Sequence, residues 1–220
     1  MHKTVQNLIN IQNLIKSKQS VLKNSEIIPK IIAVSKTFKL NHIMPLIEYG
    51  HTDYGENKVQ EALEKWSEIK SNNNKIKLHL IGKLQTNKVK ISIKLFDFIH
   101  SLDNEKLAKK ISDEQIKQNI KPKLFIQVNI GNETQKNGIH IEKLDEFYKY
   151  CRKLDLNVVG LMCLPPINDD PEISFLRMNY LKKKMNFKEL SMGMSSDYLD
   201  AIKYNSTFVR IGSSIFGLRT

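Results

Sequence analysis

The strongest constraint on the fold is a regular alternation between short β-like runs and amphipathic segments of helical period. Several of the runs are apolar at both parities, which indicates parallel strands covered by helices rather than a sheet with a wet face. Eight runs follow one another along the chain: IIAVSK (31–36), TDYGE (52–56), LHLIG (78–82), FDFIHSL (96–102), LFIQVNI (124–130), VVGLMCL (158–164), ELSMGMS (189–195) and FVRIGSS (208–214).

Helical patterns fill the intervals between these runs. A first helix has Val5, Leu8, Ile9, Ile11, Leu14 and Ile15 on one side, and later patterns cover 57–70, 104–119, 141–154 and 196–205. Eight β/α units after an initial helix predict an α/β fold, a single (β/α)8 TIM barrel over residues 1–220. No linker rich in Pro, Gly or Ser divides the chain. A doubly wound open sheet is the alternative architecture.

Composition excludes several classes of protein. No apolar run approaches the roughly 18 to 20 residues that cross a bilayer, so we expect a soluble, cytoplasmic protein. The two cysteines, Cys151 and Cys163, have neither paired spacing nor partner histidines. We therefore expect ordinary reduced thiols, with no disulfide framework and no metal site.

The net charge of +12 raises the question of nucleic-acid binding. The basic residues are almost all lysines and are spread along the chain, whereas base and phosphate recognition favours the forked guanidinium of arginine. We expect no specific nucleic-acid recognition, only weak, salt-sensitive attraction to polyanions.

Chemically distinctive residues recur at the ends of the predicted strands. In a (β/α)8 barrel the carboxyl ends of the strands form the functional face, so residues far apart in sequence meet at one mouth. The residues expected there include Lys36 after the first strand, Asn57 after the second, Ser195 after the seventh, and Arg210, Gly212 and Ser213 at the eighth.

Lys36 follows four apolar residues, and burial would disfavour its cationic form. A lysine of lowered pKa is nucleophilic and suits a Schiff base with a carbonyl substrate or with pyridoxal phosphate. The stretch RIGSS (210–214) offers glycine and small hydroxyl residues, which allow backbone N–H groups to approach a phosphate. Taken singly, Lys36 could extend to water and RIGSS could be an ordinary turn. Together they favour a phosphate-bearing aldehyde at the mouth.

Seven motifs carry a resemblance to a known family over nearly the whole chain. They are AVSKT (33–37), YGENKVQE (54–61), HLIGKLQTNK (79–88), QVNIGNETQKNGI (127–139), GLMCLPP (160–166), LSMGMSSDYLDAI (190–202) and STFVRIGSSIFGLR (206–219). The chain resembles the pyridoxal phosphate homeostasis proteins, which are similar to the barrel domain of alanine racemase, a fold-type III enzyme. The resemblance implies a protein that holds pyridoxal 5′-phosphate as an internal aldimine and regulates its intracellular supply, with no established catalytic turnover.

The resemblance also implies roles for individual residues. Lys36 matches the aldimine lysine, Arg210 matches the arginine that faces the pyridine nitrogen, and the phosphate is assigned to Ser195, Gly212 and Ser213. An arginine at that nitrogen leaves it unprotonated and weakens the cofactor as an electron sink, which suits a carrier. Asn57 is expected to contact the ring or the lysine. Lys136 matches a family lysine with a role in secondary binding or transfer, and His79 is not assigned.

Two enzymatic alternatives remain open at this stage. An amino-acid racemase of the alanine racemase type needs a second acid/base on the other face of the cofactor, and Tyr54 and Tyr204 are the candidates in this chain. A lysine-dependent aldolase would carry its lysine on a strand such as the sixth, where VVGLMCL has none. The partners expected are pyridoxal phosphate and the apo-enzymes that use it, and the expected oligomeric state is a monomer.

Overall fold

The structure, a computed structural model, describes residues 1–22, 27–131, 133, 137–166 and 169–217. Within these residues eight strands are present, one in each predicted run: β1 (Lys30–Val34), β2 (Asp53–Glu56), β3 (Lys77–Leu80), β4 (Phe98–Leu102), β5 (Lys123–Val128), β6 (Val158–Cys163), β7 (Glu189–Met194) and β8 (Phe208–Ile211). The helices are α1 (Lys3–Val21), α2 (Leu40–Glu48), α3 (Val59–Asn72), α4 (Val89–Leu95), α5 (Glu105–Gln118), α6 (Leu144–Lys153), α7 (Pro171–Lys184), α8 (Tyr198–Lys203) and α9 (Ser213–Phe216).

The strands close into a parallel barrel in chain order. β8 pairs with β1, with Arg210 opposite Ile32 and Ile211 opposite Ala33, so the sheet has no free edge. Closure between the first and last strands confirms the (β/α)8 prediction and excludes the open-sheet alternative. It also places the residue that follows β1 beside those that follow β8.

Two apolar layers stabilise the barrel. The larger lies between the strands and the surrounding helices, where Trp66 and Phe175 are fully buried. The smaller fills the barrel interior with Ile32, Phe98, Phe125, Met162 and Phe208. A barrel interior packed with side chains is not a pore, so ligands are confined to its ends.

The first helix supports the mouth from outside the barrel. Its residues Val5, Leu8, Ile11 and Ile15 are buried, but Leu14, predicted to lie on the same side, is 50% exposed. Adjacent helical residues are separated by about 100° around the axis, which places Leu14 at the border of the buried face that Leu8, Ile11 and Ile15 form. Asn7 Nδ2 donates to the main-chain oxygen of Ile215 at 2.9 Å, which joins α1 to the short helix α9.

The structure also bears on the expectations from composition. In the ranges described, no helix combines the length and the apolar character needed to span a bilayer. Cys151 and Cys163 are both buried, free thiols. Among the same residues, no group of three or more His, Cys, Asp or Glu side chains is arranged to hold a metal ion.

Candidate functional site

A cavity of about 540 Å³ opens at the carboxyl ends of the strands and brings all six predicted site residues together. Its lining residues come from β1, β2, β3, β6, β7 and β8 and the turns that follow them: Val34, Lys36, Asn57, Ile81, Leu164, Pro165, Met194, Ser195, Ser196, Arg210, Gly212 and Ser213. Lys36 and Arg210 are the ionisable side chains among the described lining residues. The cavity volume lies within the range of roughly 300–1,000 Å³ that is usual for small-molecule sites.

The position of Lys36 follows from the parity of β1. Ile32 belongs to the interior cluster of the barrel, and Val34 lines the cavity. Since alternate residues of a strand face the same side, Lys36 continues this inward series beyond the last paired residue. Its side chain is partly buried and lines the cavity wall.

A buried ionic network holds the end of β1 from the outer side. The Oε1 atom of Glu56, at the end of β2, accepts hydrogen bonds from Ser35 Oγ at 2.7 Å, Lys65 Nζ at 3.0 Å and Trp66 Nε1 at 2.9 Å. Lys65 Nζ also donates to the main-chain oxygen of Ser35 at 2.9 Å. The peptide that precedes Lys36 is therefore held by Lys65 of α3, and the side chain of Ser35 is held by Glu56 of β2.

The turn after Lys36 stores backbone strain. Thr37 has a φ of 70°, an unfavourable conformation for a β-branched residue. Its N–H donates to Glu61, and Lys65 donates to the same carboxylate. Burial tends to raise the pKa of Glu61, but these hydrogen bonds outweigh it and the pKa lies below its ordinary value. An ionised Glu61 thus stabilises the strained turn.

Ser195, Gly212 and Ser213, the residues predicted to bind a phosphate, lie on two turns that contact each other. A register shift separates Ser191 from Met194 in the pairing of β7 with β8, and Gly193 within it has a φ of 91°. Asp197 closes the following turn by accepting from Met194 N at 2.6 Å. Ser195 Oγ then accepts from Gly212 N at 3.3 Å, which brings the β7 turn against the start of α9. The first N–H groups of a helix have no acceptor within it, and α9 begins at the cavity wall.

Arg210 forms the inner wall of the cavity and is only 4% exposed. Its Nη1 donates to Ser191 Oγ and its Nη2 to the main-chain oxygen of Cys163, both at 2.8 Å. Burial lowers the pKa of Arg210 below its ordinary value, and Cys163 and Asp197 oppose that shift. Arginine nevertheless remains a cation at any physiological pH.

Asn57 is placed by a close approach between the turns after β2 and β3. A Cβ atom on Gly82 would lie 2.3 Å from the main-chain oxygen of Asn57, so glycine is required for the two backbones to pass. The Ile81 N–H donates to the main-chain oxygen of Glu56 at 2.9 Å, which keeps β2 and β3 in register up to this point.

The two tyrosines considered as racemase groups lie elsewhere. Tyr54 is fully buried, packs on Trp66 and donates to the main-chain oxygen of His51 at 3.1 Å. Tyr204 donates to Glu172 at 2.8 Å, on the outer ring of helices. Neither lines the cavity. Lys136 lies outside the described residues, and His79 is a buried, hydrogen-bonded residue of the barrel interior.

Sequence reasoning missed two groups at the site. The apolar residues Ile81, Leu164 and Met194 line the cavity, and the last two are each 37% exposed. Ile81 and Leu164 could have been found by extending the inward parity of β3 and β6 past the strand ends. The contact between Lys65 and Glu56 joins a helix to a strand nine residues away, and no local pattern signals it.

Fold and site together define a (β/α)8 barrel of the alanine racemase type, with a lysine after its first strand and small residues at the ends of β7 and β8. A family model described as alanine racemase, N-terminal domain, matches residues 7–220. A pyridoxal phosphate homeostasis protein from Aquifex aeolicus is 38% identical over 200 residues, covering 86% of this chain and 87% of that protein. The chain belongs to the pyridoxal phosphate homeostasis protein family, within the alanine racemase N-terminal domain class.

Solved structures agree with this assignment. PipY of Synechococcus elongatus, solved with pyridoxal phosphate bound, has a TM-score of 0.79 and 29% identity, covering 93% of this chain and 100% of that one. Alanine racemase of Clostridium difficile has a TM-score of 0.71 at 17% identity, covering 99% of this chain and 57% of that one. The second likeness concerns the fold alone.

Proposed function

We propose that this protein binds pyridoxal 5′-phosphate in the mouth cavity and takes part in the homeostasis of that cofactor. The observation that carries the proposal is one cavity lined by the amine of Lys36, the small residues after β7 and β8, and the buried guanidinium of Arg210. The curated relatives are named for this function, and PipY has been solved with the cofactor bound.

The cavity fits the chemistry of the cofactor. Pyridoxal phosphate, when bound, supplies an aldehyde that an amine can attack and a ring that withdraws electrons. Lys36 provides the amine, and Leu164 and Met194 provide apolar surface for a ring. Ser195, Gly212 and Ser213 provide hydroxyl and N–H donors for the phosphate.

Arg210 gives the site its limited reactivity. Two of its N–H groups are held by Ser191 and Cys163, and the guanidinium has further donors to offer the ring nitrogen. A cation at that position disfavours a proton on the ring nitrogen, so the bound ring withdraws electrons less strongly. Asn57, which follows β2 and lines the same cavity, contacts the ring or the lysine in this arrangement.

The finer parts of the proposal concern the protein as a whole. Residues 1–220 form one cofactor-binding domain, and the protein works in the cytoplasm as a monomer. Its partners are apo-enzymes that receive pyridoxal phosphate. Size-exclusion chromatography with light scattering tests the monomer, and cofactor transfer to an apo-enzyme across a dialysis membrane tests whether delivery needs contact.

Lys36→Ala tests the assignment of the amine. The unmodified protein is expected to take up one pyridoxal phosphate per chain and to show a visible absorption band that borohydride reduction abolishes. Lys36→Ala should lose the band and bind at least about 100-fold more weakly, because the covalent attachment is gone. Lys39→Ala is the matched control, since Lys39 is exposed, three residues away and outside the cavity lining.

Two results would contradict the proposal. If the unmodified protein is colourless and takes up no added cofactor, the proposed function is wrong. A borohydride-sensitive band that persists in Lys36→Ala would move the attachment to another lysine, and mass spectrometry of the reduced protein would identify it, with Lys136 as the first residue to examine.

A further inference from the structure

A line of hydrogen-bonded polar side chains crosses the barrel interior from Arg210 to the amino ends of the strands. Arg210 Nη1 lies 2.8 Å from Ser191 Oγ, and Ser191 Oγ lies 3.0 Å from His100 Nδ1. His100 Nε2 lies 3.0 Å from His79 Nδ1, and His79 Nε2 lies 3.1 Å from Asp53 Oδ1. These five residues belong to β8, β7, β4, β3 and β2. Ser191, His100 and His79 have no exposed surface.

The two ends of this polar line fix the direction of every hydrogen bond in it. Arg210 can only donate, so Ser191 Oγ accepts from it. An ionised Asp53 can only accept, so His79 donates from Nε2. A neutral His79 must then accept at Nδ1, which makes His100 the donor from Nε2. His100 in turn accepts at Nδ1 from the Ser191 hydroxyl. Every donor has an acceptor, and no step needs a second proton.

The electrostatics of the interior favour these protonation states. Burial lowers the pKa of His79, although Asp53 opposes the shift, and it places the pKa of His100 well below its ordinary value with the help of His79 and Arg210. For Asp53, burial raises the pKa, but the hydrogen bonds from its neighbours His79 and Thr52 favour the ionised form, and the pKa lies below its ordinary value. The two imidazoles are thus neutral and the carboxylate is ionised.

Aromatic packing prevents the two rings from turning. His79 stacks on Phe98 with ring centroids 4.4 Å apart and planes 4° apart. His100 stacks on Phe125 at 4.2 Å and 14°. Packed apolar residues of similar size often replace a buried polar group without loss of stability. Packing of the barrel interior alone therefore does not require the polar line. The line ends at the Arg210 guanidinium, which lines the cavity.

We propose that Ser191 and His100 are positioning residues for Arg210. Because the Ser191 hydroxyl donates its hydrogen bond to His100 Nδ1, the hydroxyl hydrogen points away from the guanidinium. A lone pair of Ser191 Oγ then faces the guanidinium. The ionised Asp53 sets this direction from the far end of the barrel. The guanidinium is thereby locked in the orientation that presents its remaining donors to the cavity. This inference rests on the proposed function where it assigns those donors to the ring nitrogen of pyridoxal phosphate.

Nitrogen-15 NMR of the protein without cofactor tests the polar line directly. His79 and His100 should both be neutral with the proton on Nε2, and the Arg210 guanidinium should give separate, slowly exchanging Nη signals. Ser191→Ala removes the acceptor, and His100→Phe keeps the ring that stacks on Phe125 but removes both nitrogens. In each variant the Arg210 signals should merge as rotation becomes free.

Cofactor binding supplies the second measurement. Both variants should retain Lys36 attachment but bind pyridoxal phosphate about 10-fold more weakly, as expected for loss of one charge-assisted contact, with a shifted absorption maximum. Ser191→Thr, which keeps the hydroxyl, should restore both readouts. Ser206→Ala is the matched control, because Ser206 is also a buried serine, but it lies before β8, donates to the main-chain oxygen of Met192 at 2.7 Å and does not touch the polar line.

The outcomes separate this inference from the proposed function. A proton on His100 Nδ1, or Arg210 signals unchanged in Ser191→Ala and His100→Phe, would overturn the positioning role. If one variant fails to fold, the other variant and the tautomers of the unmodified protein still decide the question. Uptake of no cofactor by a protein with the expected NMR signature would contradict the proposed function and leave the support of Arg210 standing.

Discussion

Glu56 shows how a residue outside the cavity determines the position of one inside it. Its carboxylate is fully buried and accepts hydrogen bonds from Ser35, Lys65 and Trp66. Ser35 immediately precedes Lys36 in the chain. A buried ion pair adds little net stability compared with apolar groups of the same size. Removing the Glu56 charge is costly, however, because Lys65 keeps its largely buried charge with Glu61 as its remaining partner in this network.

Glu56→Gln should therefore lower the free energy of unfolding by about 3 kcal/mol. The triple variant that adds Lys65→Met and Glu61→Gln should recover at least half of that loss, because it removes all three charges of the network. Urea denaturation measures both, with Asp145→Asn as the control, since the pair of Asp145 and Lys149 is exposed and should leave stability unchanged. A triple variant no more stable than the single one would show that the charges left on Lys65 and Glu61 are not the cause.

The two cysteines make stability depend on alkaline pH. Burial raises the pKa of Cys151 and of Cys163 from 9.0 to about 12 in each case. Between these values the unfolded chain releases thiol protons that the folded chain retains, so stability is complete below about pH 9 and falls as the pH rises. Urea denaturation at about pH 8 and about pH 10 measures the slope.

Cys163→Ala should flatten this slope, because one of the two thiols is gone, while lysine titration is common to both proteins. An equal slope in the variant would mean that Cys163 ionises as easily in the folded protein as in the unfolded one.

At the scale of elements, the irregular pairing of β7 determines where Ser195 lies. Gly193 has a φ of 91°, and a Cβ atom there would come within 2.6 Å of Ala201 Cβ on α8. Gly50 has a similar φ of 97°, but a Cβ atom on Gly50 would meet nothing within 4 Å. Comparing alanine substitutions at the two glycines therefore distinguishes the cost of backbone strain from the cost of a steric clash.

Gly193→Ala should thus destabilise the protein by clearly more than Gly50→Ala, which carries only the strain of roughly 1 kcal/mol or more. Because α8 must shift to admit the methyl group, Gly193→Ala should also weaken cofactor binding. Thermal unfolding and cofactor titration are the measurements. Equal effects of the two substitutions would show that the contact with α8 adjusts freely.

Elements were predictable where periodicity is strong. Each predicted run contains a strand, since buried parallel strands are apolar at both parities and contrast with the helices between them. The helical patterns identified in the sequence do not include α2, α4, α7 or α9. Pro45 lies inside α2, and α4 has only seven residues, too few to establish a helical period.

The site was predictable only in part, for a related reason. Strand ends converge in a barrel, so residues at those ends could be grouped without coordinates, and the structure places all six in one cavity. Contacts across the barrel, such as that between His100 and Ser191, join residues 91 positions apart. The sequence indicates such a contact only by a polar residue at a strand position that faces the barrel interior. The position of that residue does not show which other residue it contacts.

At the scale of the whole molecule, the fold bears on whether the chain turns over amino acids. Racemisation needs an acid/base group on each face of the cofactor. Among the described residues that line the cavity, Lys36 is the only ionisable group besides the cationic Arg210, and Tyr54 and Tyr204 lie outside the lining. Both tyrosines donate to other groups, so we expect neither to serve as the second acid/base group in proton exchange.

Incubation with L-alanine in deuterated water tests this expectation. Proton NMR should show α-hydrogen exchange no faster than free pyridoxal phosphate gives at the same concentration, with an alanine racemase as the positive control. Faster exchange that disappears in Lys36→Ala would establish turnover and favour the racemase alternative.

The ring pair Phe38 and Phe216 joins the segments that follow the neighbouring strands β1 and β8 at the mouth. Phe38 follows the strained turn at Thr37, Phe216 lies in α9, and the rings stack with centroids 4.9 Å apart. The amine that would hold one end of a ligand and the donors that would hold its phosphate are therefore braced against each other. We expect this part of the rim to be rigid. The rate at which the covalent bond at Lys36 forms and breaks, rather than a movement of the rim, would then set the residence time of the cofactor.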